Sequence, residues 1–285
     1  MSEIEYYSKR MGINKNQTKL DLSKLLQMFS TIFNKFDRDG YFQESFGYDC
    51  TDDGFVPGKV KHKAEDYLQL KLSKTNLIPV KLYIDEYMEE DLFDIIEFYH
   101  EHCSKPIEGS GHYHSWNNCG WHYGKFEKKI GQEEFRSEIN QILSKYNDGY
   151  ELSDKGYICN LPENGLEHLF KAELPEEDSE NISDRIEAAC IIFRRYKSSL
   201  EERRNAVNSL AKILEYLKPQ INEVISSQDE KDLFHLANKF NVRHHNRLQK
   251  NDFDPIWYSW MFYHYLATIH AVIRLAKCKK NSNSE

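Results

Sequence analysis

The sequence lacks several features that would place the protein in a specialised class. Its six cysteines include no CxxC pair and no dense framework, so free thiols in a cytoplasmic protein are the simplest expectation. The first ten residues contain no apolar run of the kind found in signal peptides. The net charge of −8 argues against a broad basic surface for nucleic acid, although it is compatible with a small local basic site.

One long apolar stretch, residues 256–273, has the composition of a buried helix. It is at the short end of the length needed to cross a bilayer, and it contains histidine, serine, threonine and several tyrosines. A helix that is apolar on nearly all sides is typical of the interior of a helical bundle. We therefore expect no membrane partner.

Residues 1–172 are predicted to form an α+β domain. Apolar residues at helical spacing, or helix-favouring sequence, predict helices over residues 20–36, 68–73, 91–102 and 132–146. Two β-prone runs on either side of residues 153–156 predict a hairpin. Residues 37–58 are predicted to be irregular, and residues 104–126 to form a long loop rich in aromatic and histidine side chains.

The acidic residues 173–180 predict a linker, after which residues 181–280 are predicted to be entirely helical. Ser199 and Glu202 form a capping box at the start of the second helix, which Pro219 is expected to kink or interrupt. A third helix is predicted over residues 229–241, and the pair Asp254-Pro255 starts a fourth. The predicted fold class is therefore α+β, mostly α, with a four-helix bundle following the α+β domain.

Arg243, His244, His245 and Asn246 form the most informative short segment. Arginine presents a charged planar fork to phosphate oxygens, and histidine can donate or accept a proton near neutral pH. These groups are suited to holding a phosphate and moving a proton. The alternative is structural, since a basic cluster past the end of a helix also complements the helix dipole.

The C-terminal helices resemble the HEPN superfamily of nucleic-acid-processing domains. The similarity lies in residues 201–204, Glu-Glu-Arg-Arg, at the start of the long second helix, and in Arg243 followed by the polar His244. Residues 138–140, Glu-Ile-Asn, and 149–153, Gly-Tyr-Glu-Leu-Ser, look like the α+β domains that precede HEPN modules in AbiJ-type abortive-infection proteins.

This resemblance implies a metal-independent endoribonuclease of antiviral defence that acts on RNA as a homodimer. The residues that it implies for catalysis are Arg243, His244 and His245, and those assigned to substrate binding are Asn246, Arg247 and His270. Cleavage would proceed by transesterification through the RNA 2′-hydroxyl. We expect no metal and no cofactor, and the N-terminal domain, or a regulatory or antitoxin-like partner, would restrain the activity.

The sequence departs from the family pattern after the arginine. The superfamily motif expects a histidine at position 248, 249 or 250, where this chain has leucine, glutamine and lysine. Two alternatives follow. Either His245 has taken the role of that histidine, or the bundle is a non-catalytic module that binds RNA or protein.

The loop containing His112, His114, Cys119 and His122 admits three interpretations. These side chains could bind zinc, but their spacing matches no standard zinc module. A packed aromatic loop whose histidines bond to the backbone is the interpretation that we favour. The third is a nucleotide-stacking platform formed by the neighbouring aromatic residues Tyr113, Trp116, Trp121 and Tyr123.

Two further patterns remain open at this level. Asp49, Asp52 and Asp53 suggest a carboxylate cluster for a cation, but a turn rich in aspartate and glycine explains them equally well. The fourth helix has apolar side chains all around its axis, more than a bundle interior covers. We expect this excess to be buried by the N-terminal domain or by a second copy of the chain, with Arg243 in the dimer interface.

Overall fold

The computed structural model describes residues 7–11, 19–163, 165–172, 179–224 and 254–282. The chain divides into two compact units between Ile158 and Cys159. The described residues are mostly helical, with several two-stranded sheets. This confirms the predicted α+β, mostly α class.

The N-terminal unit has seven helices among its described residues. They are α1 (Tyr7–Arg10), α2 (Leu22–Arg38), α3 (Gln43–Phe46), α4 (Ala64–Leu72), α5 (Val80–Tyr83), α6 (Glu89–Glu101) and α7 (Lys128–Leu143). Two 3₁₀ turns lie at Ile84–Glu86 and Trp116–Asn118. The four predicted helices correspond to α2, α4, α6 and α7, with ends displaced by a few residues, as is usual for helix termini.

The core of this unit forms where α7 packs against α2 and α6. Asp21 caps α2 by accepting a hydrogen bond of 2.7 Å from the N–H of Lys24. Phe36 of α2 and Phe135 of α7 then meet edge to face, with their ring centroids 5.1 Å apart, and both are fully buried. Such aromatic pairs contribute beyond the area that they bury.

The strands of the N-terminal half pair into small antiparallel sheets or hairpins. They are β1 (Tyr48–Cys50) with β2 (Gly54–Val56), β3 (Lys105–Pro106) with β6 (Phe126–Glu127), β4 (Gly111–His114) with β5 (Gly120–Tyr123), and β7 (Tyr150–Leu152) with β8 (Ile158–Asn160). The hairpin predicted around residues 153–156 is confirmed. The prediction of irregular structure over 37–58 and 104–126 is wrong, because short strands separated by turns, several with glycine at positive φ, give little periodic signal.

Gly131 fixes the start of the 104–126 segment against α7. A Cβ atom at this position would lie 2.4 Å from the backbone nitrogen of Lys105, so only glycine allows this approach. The thiol of Cys103 also donates to the carbonyl oxygen of Gly131 at 3.3 Å. Backbone therefore packs directly on backbone where the segment leaves the core.

The described residues of the second unit are mostly helical. Its described helices are α8 (Glu167–Lys171), α9 (Ser179–Arg194), α10 (Leu200–Tyr216), α11 (Lys218–Val224) and α12 (Ile256–Ser282). Helix α10 packs against both α9 and α12, and α11 packs against α12. At the centre, Phe193 and Phe262 stack with ring centroids 4.0 Å apart.

Two of the predicted helix starts in this unit, at Ser199 and at Asp254, are confirmed. Ser199 accepts a hydrogen bond from the N–H of Glu202, and the Glu202 carboxylate accepts one from the N–H of Ser199. Asp254 accepts from the N–H of Ile256 at 2.9 Å at the start of α12. The interruption expected at Pro219 is also present, since α10 ends at Tyr216 and α11 begins two residues later.

The division between the units lies earlier than the expected domain boundary at residues 172–181. Asn160 donates to the carbonyl oxygen of Arg194 at 3.1 Å, and Cys159 forms a β-bridge with Arg195. Phe170 packs on Phe262, with ring centroids 6.1 Å apart. These contacts attach residues 159–172 to the helical unit, which composition alone did not indicate.

Helix α12 is long, but its composition is mixed. It spans 27 residues and carries histidine, serine, threonine and several basic residues. Among the described residues, no helix combines the length and the apolar content that crossing a bilayer requires. The third predicted helix, residues 229–241, lies outside the described residues.

Candidate functional site

The residues predicted for catalysis, Arg243, His244 and His245, lie outside the described residues, and so do Asn246 and Arg247. In sequence they fall between α11 and α12. Both of these helices belong to the helical unit and pack against each other. In sequence, the motif therefore separates two helices that pack against each other in the same unit.

His270, the remaining residue predicted for substrate binding, lies on α12. Its side chain is buried, and its Nδ1 atom has no hydrogen-bond partner among the described residues. Burial lowers the pKa of His270, and the charge of Arg274 lowers it further. The lowered pKa favours the neutral imidazole, whose Nδ1 atom is unpaired within the described part of the chain.

The other polar side chains near the middle of α12 are used in local packing. The hydroxyl of Thr268 donates to the carbonyl oxygen of His264 at 2.7 Å, and the His264 ring stacks on Trp260 at 5.3 Å. The ring of Tyr263 lies 6.0 Å from that of Phe193, and burial, with the charge of Glu163, raises the pKa of its hydroxyl to about 12. This favours the interpretation of these groups as part of the helical core.

A compact group of soft ligands lies in the N-terminal unit. It comprises Cys50, His114, Cys119 and His122, and one ligand atom from each lies within 4.8 Å of all the others. Cys50 ends β1 and His114 ends β4, while Cys119 directly precedes β5 and His122 lies within it. Two hairpins that are distant in sequence therefore supply the four side chains.

The backbone explains how these side chains converge. In the β4–β5 register, His114 lies opposite Gly120, and Gly120 has a φ of 93°. This positive φ lets the chain reverse directly after Cys119. Gln43 of α3 then fixes β5, because its amide donates to the carbonyl oxygen of Trp121 at 2.8 Å and its oxygen accepts from the N–H of Tyr123.

Two sulfur–nitrogen separations in the group are close to those between ligands of one metal ion. Sγ of Cys50 lies 3.7 Å from Nδ1 of His114, and Sγ of Cys119 lies 3.2 Å from Nε2 of His122. In a tetrahedral zinc site, with Zn–S near 2.3 Å and Zn–N near 2.0–2.1 Å, a sulfur and a nitrogen lie about 3.6 Å apart. These two sulfur–nitrogen separations are thus close to the required spacing, and all four ligand atoms lie within 4.8 Å of one another.

The sequence identified three of these four residues. The fourth residue predicted from the sequence was His112, whereas the fourth residue in the structure is Cys50. His112 is exposed, with its ring centroid 5.0 Å from that of His122. Cys50 was missed because it lies 64 residues before His114, beyond any local spacing pattern. The geometry favours the metal interpretation over the packed aromatic loop.

The surroundings of Cys119 favour its deprotonated form, the thiolate. Desolvation raises the pKa of the Cys119 thiol, but hydrogen bonds from Thr51, His114 and Cys50 outweigh it, so the pKa lies below its ordinary value. Burial and the neighbouring histidines lower the pKa of His122. A thiolate and a neutral imidazole are the forms that ligate metal.

Two of the three aspartates near Cys50, Asp49 and Asp52, have other partners. Oδ2 of Asp52 lies 3.2 Å from Nε2 of His114, while Asp49 pairs with Lys63 at 3.5 Å. These two carboxylates face different groups, so they do not form the carboxylate site considered from the sequence. Asp52 instead lies where it can orient the His114 ring.

The aromatic side chains of the β4–β5 hairpin are largely exposed. Tyr113, Trp116 and Trp121 are all solvent-accessible, and Trp121 stacks on Tyr123 with ring centroids 5.8 Å apart. Since neighbouring residues of a strand point to opposite faces, the strand histidines occupy one face of the hairpin, and Tyr113, Trp121 and Tyr123 occupy the other. The aromatic face is thus separate from the Cys–His group.

Comparison with protein-family models finds no match, and comparisons with curated proteins and with solved structures find no significant similarity.

Proposed function

We propose that the protein is an RNA-directed HEPN-type endoribonuclease of the abortive-infection class. The observation that carries this proposal is the sequence Arg243-His244-His245 in a unit whose described residues are mostly helical, shortly before the long core helix α12. The proposed four-helix bundle consists of α9, α10, a helix over residues 229–241 and α12. The N-terminal unit, of the AbiJ-like type, would regulate it.

The proposed chemistry needs only the side chains of the motif. His244 or His245 withdraws the proton from an RNA 2′-hydroxyl, and the oxygen attacks the adjacent phosphorus as the bond to the 5′-oxygen breaks. The departing 5′-oxygen takes up a proton from solvent water. Arg243 stabilises the charge on the phosphate in the five-coordinate transition state. The products are a 2′,3′-cyclic phosphate and a 5′-hydroxyl, and Asn246, Arg247 and His270 are proposed to contribute to RNA binding.

The experiment compares Arg243→Ala with Lys250→Ala, which removes one positive charge from the same segment. Purified chains are incubated with mixed RNA, with and without EDTA, and circular dichroism checks that each chain remains folded. We expect the wild type and Lys250→Ala to cleave in EDTA and leave cyclic phosphate ends. Arg243→Ala should lose at least about 100-fold in rate, as expected for a missing transition-state donor. Equal cleavage by Arg243→Ala would overturn the proposal.

A second candidate is a non-catalytic RNA- or protein-binding module with the same helical framework. The absence of histidine at positions 248–250 favours it. In that case RNA would be retained on a native gel without any cleavage product, or only a regulatory or antitoxin-like protein would bind. The same incubation therefore separates the two candidates.

A homodimer is part of the proposal. At the start of α12, Ile256, Trp257 and Trp260 are exposed, and the two tryptophan rings lie 5.7 Å apart. Burial of each large apolar side chain is worth about 1.5–3 kcal/mol. A two-fold pairing through this patch would bring two Arg243 segments into one groove, with a doubled local positive charge.

A further inference from the structure

We propose that the N-terminal unit holds one structural zinc ion, bound by Cys50, His114, Cys119 and His122. This site is independent of the proposed RNA chemistry, which uses residues of the other unit. It rests on the convergence of four metal-ligating atoms within 4.8 Å of one another.

The chemistry of the ligands selects the metal. Thiolate and imidazole ligands in a tetrahedral set suit zinc, whereas magnesium and calcium prefer oxygen ligands. Four protein ligands fill the tetrahedron and leave no position for a substrate or a reactive water. Cys50 and His122 are also buried, so the site has the closed character of a structural zinc centre.

The two histidines have defined roles in this arrangement. His114 binds through Nδ1, the atom near Cys50, because its Nε2 faces the Asp52 carboxylate. His122 binds through Nε2, the atom near Cys119, and its ring stacks on Tyr48 with centroids 4.0 Å apart. A carboxylate behind one ligand and a stacked ring against the other fix both imidazoles.

A zinc ion would stabilise two hairpins of this unit. The hairpins β1–β2 and β4–β5 have two strands each, and an isolated two-stranded hairpin is at best marginally stable in water. The ion would tie these hairpins together across a separation of more than 60 residues. The helical core of α2, α6 and α7 lies outside the ligand set, so loss of the ion should loosen the hairpins and leave these helices folded.

The test measures zinc in the full-length chain by elemental analysis after dialysis against a weak chelator. We expect about one zinc ion per wild-type chain. Cys50→Ser should lose most of it, while His112→Ser should retain it. These two variants are informative because the spacing in the sequence predicted His112 as a ligand and not Cys50. The structure instead places Cys50 among the ligands and leaves His112 outside them.

Cobalt substitution provides a measurement that needs no variant. Wild-type chain loaded with Co²⁺ should show the strong visible bands of a tetrahedral ion together with thiolate-to-cobalt charge transfer. Added zinc should displace the cobalt, and both absorption features should disappear. No stoichiometric metal in the wild type would overturn the proposal. So would zinc kept by Cys50→Ser and lost from His112→Ser, or a Cys50–Cys119 disulfide in protein purified under reducing conditions. RNA cleavage is not a readout here, so failure of this test leaves the proposed ribonuclease activity standing.

Discussion

Nε2 of His114 lies 3.2 Å from Oδ2 of Asp52, on the side of the ring opposite to the Nδ1 atom that faces Cys50. A carboxylate in this position fixes the histidine tautomer and raises the basicity of the ligating nitrogen. We therefore expect Asp52→Asn to bind zinc about 10-fold more weakly than wild type, at the low end of the usual range because Asp52 is largely exposed.

Competition with a chromophoric chelator measures this change in affinity, and Asp53→Asn is the matched control. It removes a carboxylate from the neighbouring position of the same turn, and it should leave the affinity within about 2-fold of wild type. If both variants weaken binding equally, the effect comes from the net charge of the turn and not from orientation of His114.

Because the pKa of buried His100 is low, we expect the protein to lose stability in mild acid. Burial, together with the charges of Arg136 and Lys128, lowers its pKa to about 4, whereas an unfolded chain has a histidine pKa near 6.5. The unfolded state therefore binds the proton more readily between these values. The stabilisation is complete above pH 6.5 and is lost as the pH falls towards 4, costing about 2 kcal/mol by pH 5.

The measurement is urea unfolding at pH 8 and pH 5 without chelator, so that the hairpin carrying the fluorescent reporters stays attached to the helical core. Any contribution from metal binding is the same in the parent and the variant, and it cancels in their difference. Trp257→Phe and Trp260→Phe leave Trp116 and Trp121, both in the N-terminal unit, as the fluorescent reporters. In this background we compare how far the free energy of unfolding falls from pH 8 to pH 5. The fall should be about 2 kcal/mol smaller for His100→Gln than for the parent. Parallel losses in both chains would show that His100 is not the titrating group.

The helices were predictable because their signals are local. The apolar residues of α2 recur at helical spacing, and the Ser199–Glu202 capping box places the start of α10 within four residues. Each of these signals is contained in one stretch of sequence, so no knowledge of the rest of the fold is needed.

The Cys–His group was only partly predictable because one ligand comes from another hairpin. His114, Cys119 and His122 fall within nine residues of one another, whereas Cys50 reaches them only through the packing of β1–β2 beside β4–β5. Which histidine belongs to the set also depends on the strand register. Register is fixed by pairing, and no local composition reveals it.

The boundary between the two units was also not predictable from local sequence. The acidic residues 173–180 look like a linker, yet Asn160 and Phe170 already contact Arg194 and Phe262 of the helical unit. A composition change indicates where the chain is solvated, and tertiary contacts decide where one unit ends.

The exposed patch at the start of α12 makes the dimer testable. In a two-fold interface each substitution acts twice, so Ile256→Ser should weaken the dimer by about 3 kcal/mol or more, which is over 100-fold in Kd. Leu275→Ser is the matched control, because Leu275 is also exposed on α12 but lies about 28 Å along the helix from Ile256. Light scattering over a concentration series, with and without RNA, measures both variants. A wild-type chain that stays monomeric at tens of micromolar under both conditions would contradict the dimer, and with it the proposal that two Arg243 segments share one groove.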